Sequence, residues 1–126
     1  MFWTKSKLAR QSSITSNDMS IDVDQRAPET LVNVAGRVTV NSSPRLRSML
    51  LRLIGTSTND AVIVNLAGVE VLDTSGMATL LEALDMAQKR SVKLRLIGVN
   101  GQPRTLAEMM ELSTIFAAAG SEVVLT

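Results

Sequence analysis

The 126-residue sequence predicts a single α/β domain, in which a mixed β-sheet of about five strands packs against α-helices. Two patterns of apolar residues indicate this fold. Some segments are apolar at every second position or in short runs, as strands are, and the segments between them are apolar at every third or fourth position, as helices are. The predicted order is strand, strand, helix, strand, helix, strand, helix, strand, with helices on one or both faces of the sheet, and the length suits one hydrophobic core.

The start of the chain differs in composition from the rest. Residues 1–17 carry three basic side chains, no acidic one and little apolar periodicity, which predicts a mobile tail followed by a domain over residues 18–126. Aromatic residues beside the basic ones also allow a weak contact of the tail with an anionic membrane surface. The simpler alternative is a disordered leader.

The first two strands are predicted to form an antiparallel pair. Residues 19–24 alternate between apolar and polar side chains, which is typical of a strand with one wet face at the edge of a sheet. Residues 31–35 are more apolar and follow after a short turn, so the two strands should pair directly. Gly36 is expected to end the second strand.

The first helix is predicted to begin at Pro44, with Ser43 as its N-cap. Its apolar stripe consists of Leu46, Met49, Leu50 and Leu53, and Arg45, Arg47 and Arg52 are expected to stay in water.

The second half of the chain alternates strands with helices. Residues 61–66 form an almost continuous apolar run, which predicts a central strand covered on both faces, and residues 92–97 predict another strand, stopped by Gly98. A helix from Ser75 to about Arg90 should bury Met77, Leu80, Leu81, Leu84 and Ala87 and expose Thr79, Glu82, Met86 and Lys89. A third helix, starting at Pro103, should turn Leu106, Met109 and Met110 inward. After it, Ile115 and Phe116 should pack on the sheet. Residues 123–125 can form a last edge strand.

Composition excludes several classes of function. The chain has no histidine and no cysteine, so it offers no Ser-His-Asp triad, no ordinary zinc site and no thiolate chemistry. A net charge of +1 gives no argument for nucleic acid, and no phosphate-binding loop or membrane-spanning segment is present. We therefore expect a cytoplasmic protein that is not an enzyme, with no catalytic residue, cofactor, metal site or stable membrane insertion.

The stretch Asp73-Thr74-Ser75-Gly76 joins a strand to the longest helix. It places three oxygen-bearing side chains where a helix has unpaired N–H groups and the positive end of its dipole, so the site could bind or carry an anion. The same residues are also an N-cap pattern, which need serve no other purpose.

This stretch, preceded by Val-Glu-Val-Leu and followed by Met-Ala-Thr-Leu-Leu-Glu-Ala-Leu, resembles the signature of the STAS family, the anti-sigma factor antagonists. The resemblance extends over roughly residues 21–125. It implies the STAS fold and phosphorylation of Ser75 by an anti-sigma factor with serine kinase activity, with Thr74 as the competing site. In the family, the loop after the second strand often carries an acid near the phosphorylated serine, but this sequence has Thr39 there, which cannot bind Mg²⁺ as a carboxylate does.

The resemblance implies a binding switch that sequesters the anti-sigma factor, frees a sigma factor and is turned off by phosphorylation. The residues expected to contact the partner are Thr39, Asp73, Thr74, Ser75, Gly76, Thr79 and Glu82. The alternative is a small STAS regulatory subunit of a phospholipid-transporting ABC system, with the ATPase or permease as partner. An enzyme is a poor third, because no nucleophile in the chain has a base.

Overall fold

The structure is a computed structural model that describes residues 10–15, 19–26, 28–56 and 60–126. The strands are β1 (Arg10–Thr15), β2 (Met19–Arg26), β3 (Glu29–Val38), β4 (Ala61–Leu72), β5 (Lys93–Val99) and β6 (Glu122–Leu125). The helices are α1 (Ser43–Thr56), α2 (Thr74–Lys89), α3 (Gly101–Met109) and α4 (Leu112–Ala118). None of the described helices is both long enough and apolar enough to span a bilayer.

The six strands form one mixed sheet in the order β1-β2-β3-β4-β5-β6. The pairs β1–β2 and β2–β3 are antiparallel, whereas the pairs β3–β4, β4–β5 and β5–β6 are parallel. Each parallel connection moves one strand further in the same direction, and such crossovers are right-handed, so the connecting helices share one face of the sheet. The predicted α/β class is therefore confirmed, with the helices on one face.

Strand register separates the two faces. Val23, Val32, Val64 and Leu96 lie side by side across four strands and belong to the buried core beneath the helices. The neighbouring row, on the face that no described helix covers, consists of Asp24, Leu31, Ile63, Arg95 and Glu122. On that face Ile63 is still only 8% exposed, because β4 lies in the middle of the sheet. The expectation of a central strand is met by β4, but the described helices cover only one of its two faces rather than both.

Strand β1 differs from the prediction for the start of the chain. Residues 10–15, which the sequence assigns to a mobile tail, pair antiparallel with β2. The edge of a sheet offers unpaired backbone groups that can bond to an extended segment whatever its side chains, so apolar periodicity was a poor guide here. On this side of the sheet the described edge strand is β1 rather than β2, and the remainder of the predicted tail lies outside the described residues.

Two glycines predicted to stop strands lie inside them. Gly36 has φ +95° and pairs with Met19 and Val69 at a register shift, and β3 continues to Val38. Gly98, with φ +67°, lies within β5. Glycine adopts positive φ at low cost, which suits an irregularity within a strand as well as a strand end.

Strand β4 extends six residues beyond the predicted run, to Leu72. Its first five residues pair with β5, but beyond Ala67 its pairing is with β3 alone. This extension carries the chain to the edge where α2 begins.

Helix burial departs from the predicted stripes at four residues. Met86, expected on the outside of α2, is partly buried and packs against the core. Thr79 is 4% exposed, although it was expected on the outside of α2. Met109 is 76% and Ile115 40% exposed, although both were expected inside. The other predicted inward residues are buried or pack against the core.

Candidate functional site

Asp73 is the N-cap of α2 and joins two loops of the molecule. Its Oδ1 accepts a hydrogen bond of 2.9 Å from the Gly76 N–H, which is one of the first-turn amides that a helix cannot pair internally. Its Oδ2 accepts a bond of 3.1 Å from the Val40 N–H, in the loop between β3 and α1. One carboxylate thus caps α2 and holds the neighbouring loop beside it.

Gly76 allows the start of α2 to approach the end of β3. A Cβ added to Gly76 would lie 2.5 Å from Leu72 Cδ1, 2.9 Å from Val38 Cγ1 and 3.0 Å from the Val38 carbonyl oxygen. The Asp73 N–H also donates to that oxygen over 3.1 Å. Glycine is required here because of this close approach, and its buried position means that it supports the site without offering a side chain to a partner.

Gln102, from the first turn of α3, holds the chain just before the cap. Its Nε2 donates to the Leu72 carbonyl over 2.9 Å, and its Oε1 accepts from the Leu72 N–H over 2.7 Å. The side-chain amide replaces the neighbouring strand that β4 lacks at this point, and so satisfies both backbone groups. Sequence reasoning missed this residue; the available signal was an amide following the next parallel strand at the same sheet edge.

The two hydroxyl residues of the motif occupy the first turn of α2. Thr74 is exposed and Ser75 is half-buried. Among the described residues, none hydrogen-bonds to the Ser75 hydroxyl. Ser75 therefore presents an unengaged Oγ at the positive end of a helix dipole, where added negative charge is favoured.

The loop that Asp73 holds contains Thr39 and Val40. The Thr39 N–H donates to Ser42 Oγ over 2.9 Å, and its own Oγ1 accepts from the Asn41 N–H over 3.4 Å, so this hydroxyl serves its own loop. Val40 is 64% exposed, and its backbone N–H is held by Asp73. Sequence reasoning missed Val40, since the loop position alone does not show that it is exposed and bonded to Asp73, two residues before Ser75.

Thr79, which the sequence predicts to contact a partner from the outside of α2, is buried in the structure. Helices α1 and α2 pack together, and Thr79 lies one turn before Glu82, which bonds to Arg47 of α1. This flank of α2 is covered by α1, and so Thr79 is buried. The correction removes Thr79 from any docking surface.

Glu82 is half exposed but forms a bidentate pair with Arg47. Arg47 Nε lies 2.9 Å from Oε1 and 3.0 Å from Oε2, and Nη2 lies 2.8 Å from Oε2. These hydrogen bonds, and to a smaller extent the charge of Arg47, lower the pKa of Glu82, while partial desolvation opposes them. A partner reaching Glu82 would meet an ion pair.

The Asp73 carboxylate is fully used by bonds within the protein. Both oxygens of Asp73 accept backbone N–H bonds, so this carboxylate is engaged in holding the loops together. Within the described part of the chain, no cluster of three or more His, Cys, Asp or Glu could hold a metal ion. The structure brings Thr39, Asp73, Thr74, Ser75 and Gly76 to one edge, with Glu82 two turns further along α2.

Known structures share this architecture. An anti-sigma factor antagonist from Mycobacterium paratuberculosis matches with a TM-score of 0.71 and 18% identity, over 82% of this chain and 87% of that one. The Bacillus cell fate determinant SpoIIAA in its phosphorylated form matches with a TM-score of 0.64 and 13% identity, over 84% of this chain and 90% of that one. A sulfate transporter family protein from Wolinella succinogenes matches with a TM-score of 0.65 and 20% identity, over 79% and 78%.

The family model described as the STAS domain matches residues 20–124, which is most of the chain. All four helices, strands β3, β4 and β5 and the Asp73–Gly76 turn lie within this range, whereas β1 lies before it. The chain belongs to the STAS domain family.

Proposed function

We propose that the protein is an anti-sigma factor antagonist, a binding switch controlled by phosphorylation of Ser75. In the unphosphorylated state it would dock an anti-sigma factor with serine kinase activity in the cytoplasm and so free a sigma factor. The ATP, the Mg²⁺ and the catalytic groups would belong to that partner. Structural likeness to anti-sigma factor antagonists supports the general kind of function.

The observation that carries the proposal is the Ser75 hydroxyl, unengaged by any described residue, at the same edge as the exposed Val40. An apolar side chain held in place by the Asp73–Val40 bond offers a contact that a protein partner could bury. The hydroxyl beside it would be presented to a kinase by that same docking. Contact and modification would therefore use one surface.

A phosphate on Ser75 would act through charge. It adds about −1.5 to −2 charge and three acceptor oxygens, which the N-terminus of α2 tolerates but a packed apolar contact does not. The carboxylate of Asp73, two residues earlier, adds to the negative potential. We expect phosphorylation to leave the fold intact and to weaken docking.

The test is affinity capture from extract of the native cells, with wild-type protein, Ser75→Ala, Ser75→Asp and the matched control Thr74→Asp as baits. Wild type and Ser75→Ala should retain an anti-sigma factor with a kinase domain, identified by mass spectrometry, and Ser75→Asp should lose most of it. Thr74→Asp should retain more than Ser75→Asp. Equal retention of that partner by all four baits would contradict the switch.

A second candidate is a STAS subunit of a phospholipid-transporting ABC system. Thr39 favours it, because this residue stands where the antagonists often carry an acid and its hydroxyl is bonded within its own loop. The same capture separates the two candidates. A transporter ATPase or permease, retained regardless of the charge at position 75, would support the second candidate and exclude the first.

A further inference from the structure

A groove runs along the outer side of α1, away from α2. It has a volume of about 410 Å³ and is lined by Pro44, Arg45, Ser48, Met49 and Arg52. Met49 is almost fully buried and forms part of the floor, while both arginines are exposed. The groove thus combines an apolar floor with two cationic side chains.

Helix geometry places the two arginines in one row. Arg45 and Arg52 are seven residues apart, so they lie nearly two turns, or about 10.5 Å, along the axis and point in similar directions. Arg47 points to the other side of α1, where it bonds to Glu82. The groove is therefore separate from the contact between α1 and α2, and it is not part of the surface invoked for the proposed function.

Neither arginine of the groove forms a salt bridge within the part of the chain that the structure describes. Helix α1 contains three arginines and no acidic residue. Between residues 19 and 126 of the described chain, six basic side chains form salt bridges: Arg26, Arg47, Lys89, Lys93, Arg95 and Arg104. Arg45 forms none with the described residues, and the polar contact recorded for Arg52 is 3.1 Å to the Met49 sulfur. The guanidinium groups of Arg45 and Arg52, seven residues apart on one side of α1, are thus available to carboxylates.

We propose that this groove docks an acidic amphipathic helix of a partner protein. Two glutamates seven positions apart on that helix would match the spacing of Arg45 and Arg52 and form charge-assisted hydrogen bonds with them. Apolar residues between the glutamates, at the third and fourth positions, would lie on the floor at Pro44 and Met49.

Charge favours an acidic partner helix in the groove over two other occupants, the chain's own first residues and a second copy of the chain. The chain's own residues 1–9 carry two lysines and no acid, so they would bring like charge to the groove. A second copy meeting the first through the same surface would oppose arginine to arginine, because a two-fold contact presents the same patch on both sides. Acidic partner helices avoid both repulsions.

The experiment measures binding of labelled, alanine-rich helical peptides to the full chain by fluorescence anisotropy. One peptide carries two glutamates seven positions apart with leucines between them, and matched peptides carry glutamine or lysine instead. The glutamate peptide should bind at least about tenfold more tightly than the glutamine peptide, with an affinity that falls as salt is added.

Charge reversal supplies the specific control. Arg45→Glu combined with Arg52→Glu should abolish binding of the glutamate peptide and create binding of the lysine peptide, whereas Lys89→Glu combined with Arg104→Glu, at exposed positions elsewhere, should leave the glutamate peptide bound. If the first pair impairs the thermal transition, Arg45→Gln with Arg52→Gln should still reduce binding about tenfold or more.

Three results would overturn the proposal. The glutamate and glutamine peptides could bind equally, which would remove the ionic match. The two pairs of charge reversals could weaken binding equally, which would indicate unspecific attraction. Finally, Phe2→Ser combined with Trp3→Ser could tighten peptide binding tenfold, which would assign the groove to the chain's own first residues.

Discussion

Helices α1 and α2 occupy equivalent places in the fold, yet they begin differently. Each follows a strand of the parallel part of the sheet, and both pack on the same core. Helix α2 is capped by the Asp73 carboxylate, which also bonds to the neighbouring loop. Before α1, the Ser42 hydroxyl instead bonds to residues that precede the helix. It donates to the Arg37 carbonyl over 2.7 Å and accepts from the Thr39 N–H.

The difference shows that the start of α2 is fixed by more side-chain contacts than α1. The start of α2 is held by side-chain bonds from Asp73 and Gln102 and by the close contact at Gly76. The length of α1 carries arginines on two sides and leaves an open groove. If α2 presents the Ser75 hydroxyl to a partner, as we propose, it needs the first kind of support, whereas the proposed docking of an acidic helix in the groove needs less.

The largest expected effect is common to both helices. Leu50→Ala in α1 and Leu84→Ala in α2 should each destabilise the domain by about 2–5 kcal/mol, because each removes buried methyl groups and leaves a cavity. Denaturant titration should give similar losses for both. A loss below about 1 kcal/mol for one of them would show that the two helices do not share the core equally.

The next effect separates the helices. Gly76→Ala should cost about 1–3 kcal/mol, because the added Cβ meets Leu72, Val38 and the backbone of β3. Gly55→Ala in α1 is the matched control, since a Cβ there meets nothing within 4 Å and alanine favours the helix by up to about 1 kcal/mol. Thermal melting should move in opposite directions for the two variants, and a loss of stability in both would remove the contrast.

A smaller effect is expected at the cap. Asp73→Ala should cost about 1–2 kcal/mol because it leaves the Gly76 and Val40 N–H groups without their partner, while Asp73→Asn should retain most of the stability as a good N-cap. Amide exchange at Val40 should rise in Asp73→Ala. Unchanged exchange there would contradict the bridge between the two loops.

The smallest effect concerns how the stability of the domain depends on pH. The pKa of Glu82 is lowered by Arg47, so the folded state gains stability from this pair above the ordinary glutamate pKa of about 4.3 and loses it as the pH falls through the lowered value. Glu82→Gln should therefore flatten the decline in stability below about pH 4.3. Urea titrations between about pH 3 and pH 6 give the unfolding free energy at each pH. If it falls with pH equally in Glu82→Gln and wild type, solvent screens the pair, as it often does for exposed pairs.

Periodicity predicted the order of the strands and helices, because burial repeats along the sequence itself. It failed where the cause lies elsewhere in space. Thr79 is buried because α1 covers that flank of α2, and Gln102 completes β4 from a helix thirty residues later. Residues 10–15 pair through backbone groups, which leave no trace in the order of side chains.

The local geometry at the start of α2 was predicted more completely than its surroundings. Asp73 caps the helix as the motif indicates, because capping is local and depends on a residue type at a fixed position. Val40 was missed, because its place near the start of α2 depends on the bond of its N–H to Asp73 in another loop. Local chemistry can be inferred from sequence, but the surface around it requires the fold.

The most direct measurement is phosphosite mapping of the protein after incubation with ATP and the partner captured from native cells. Wild type and Thr74→Ala should gain one phosphate on the residue-75 hydroxyl, and Ser75→Ala should gain none, since the support from Asp73 and Gly76 presents this position to a docked kinase. A phosphate on Thr74 that persists in Ser75→Ala, or no phosphate on any variant, would contradict the switch.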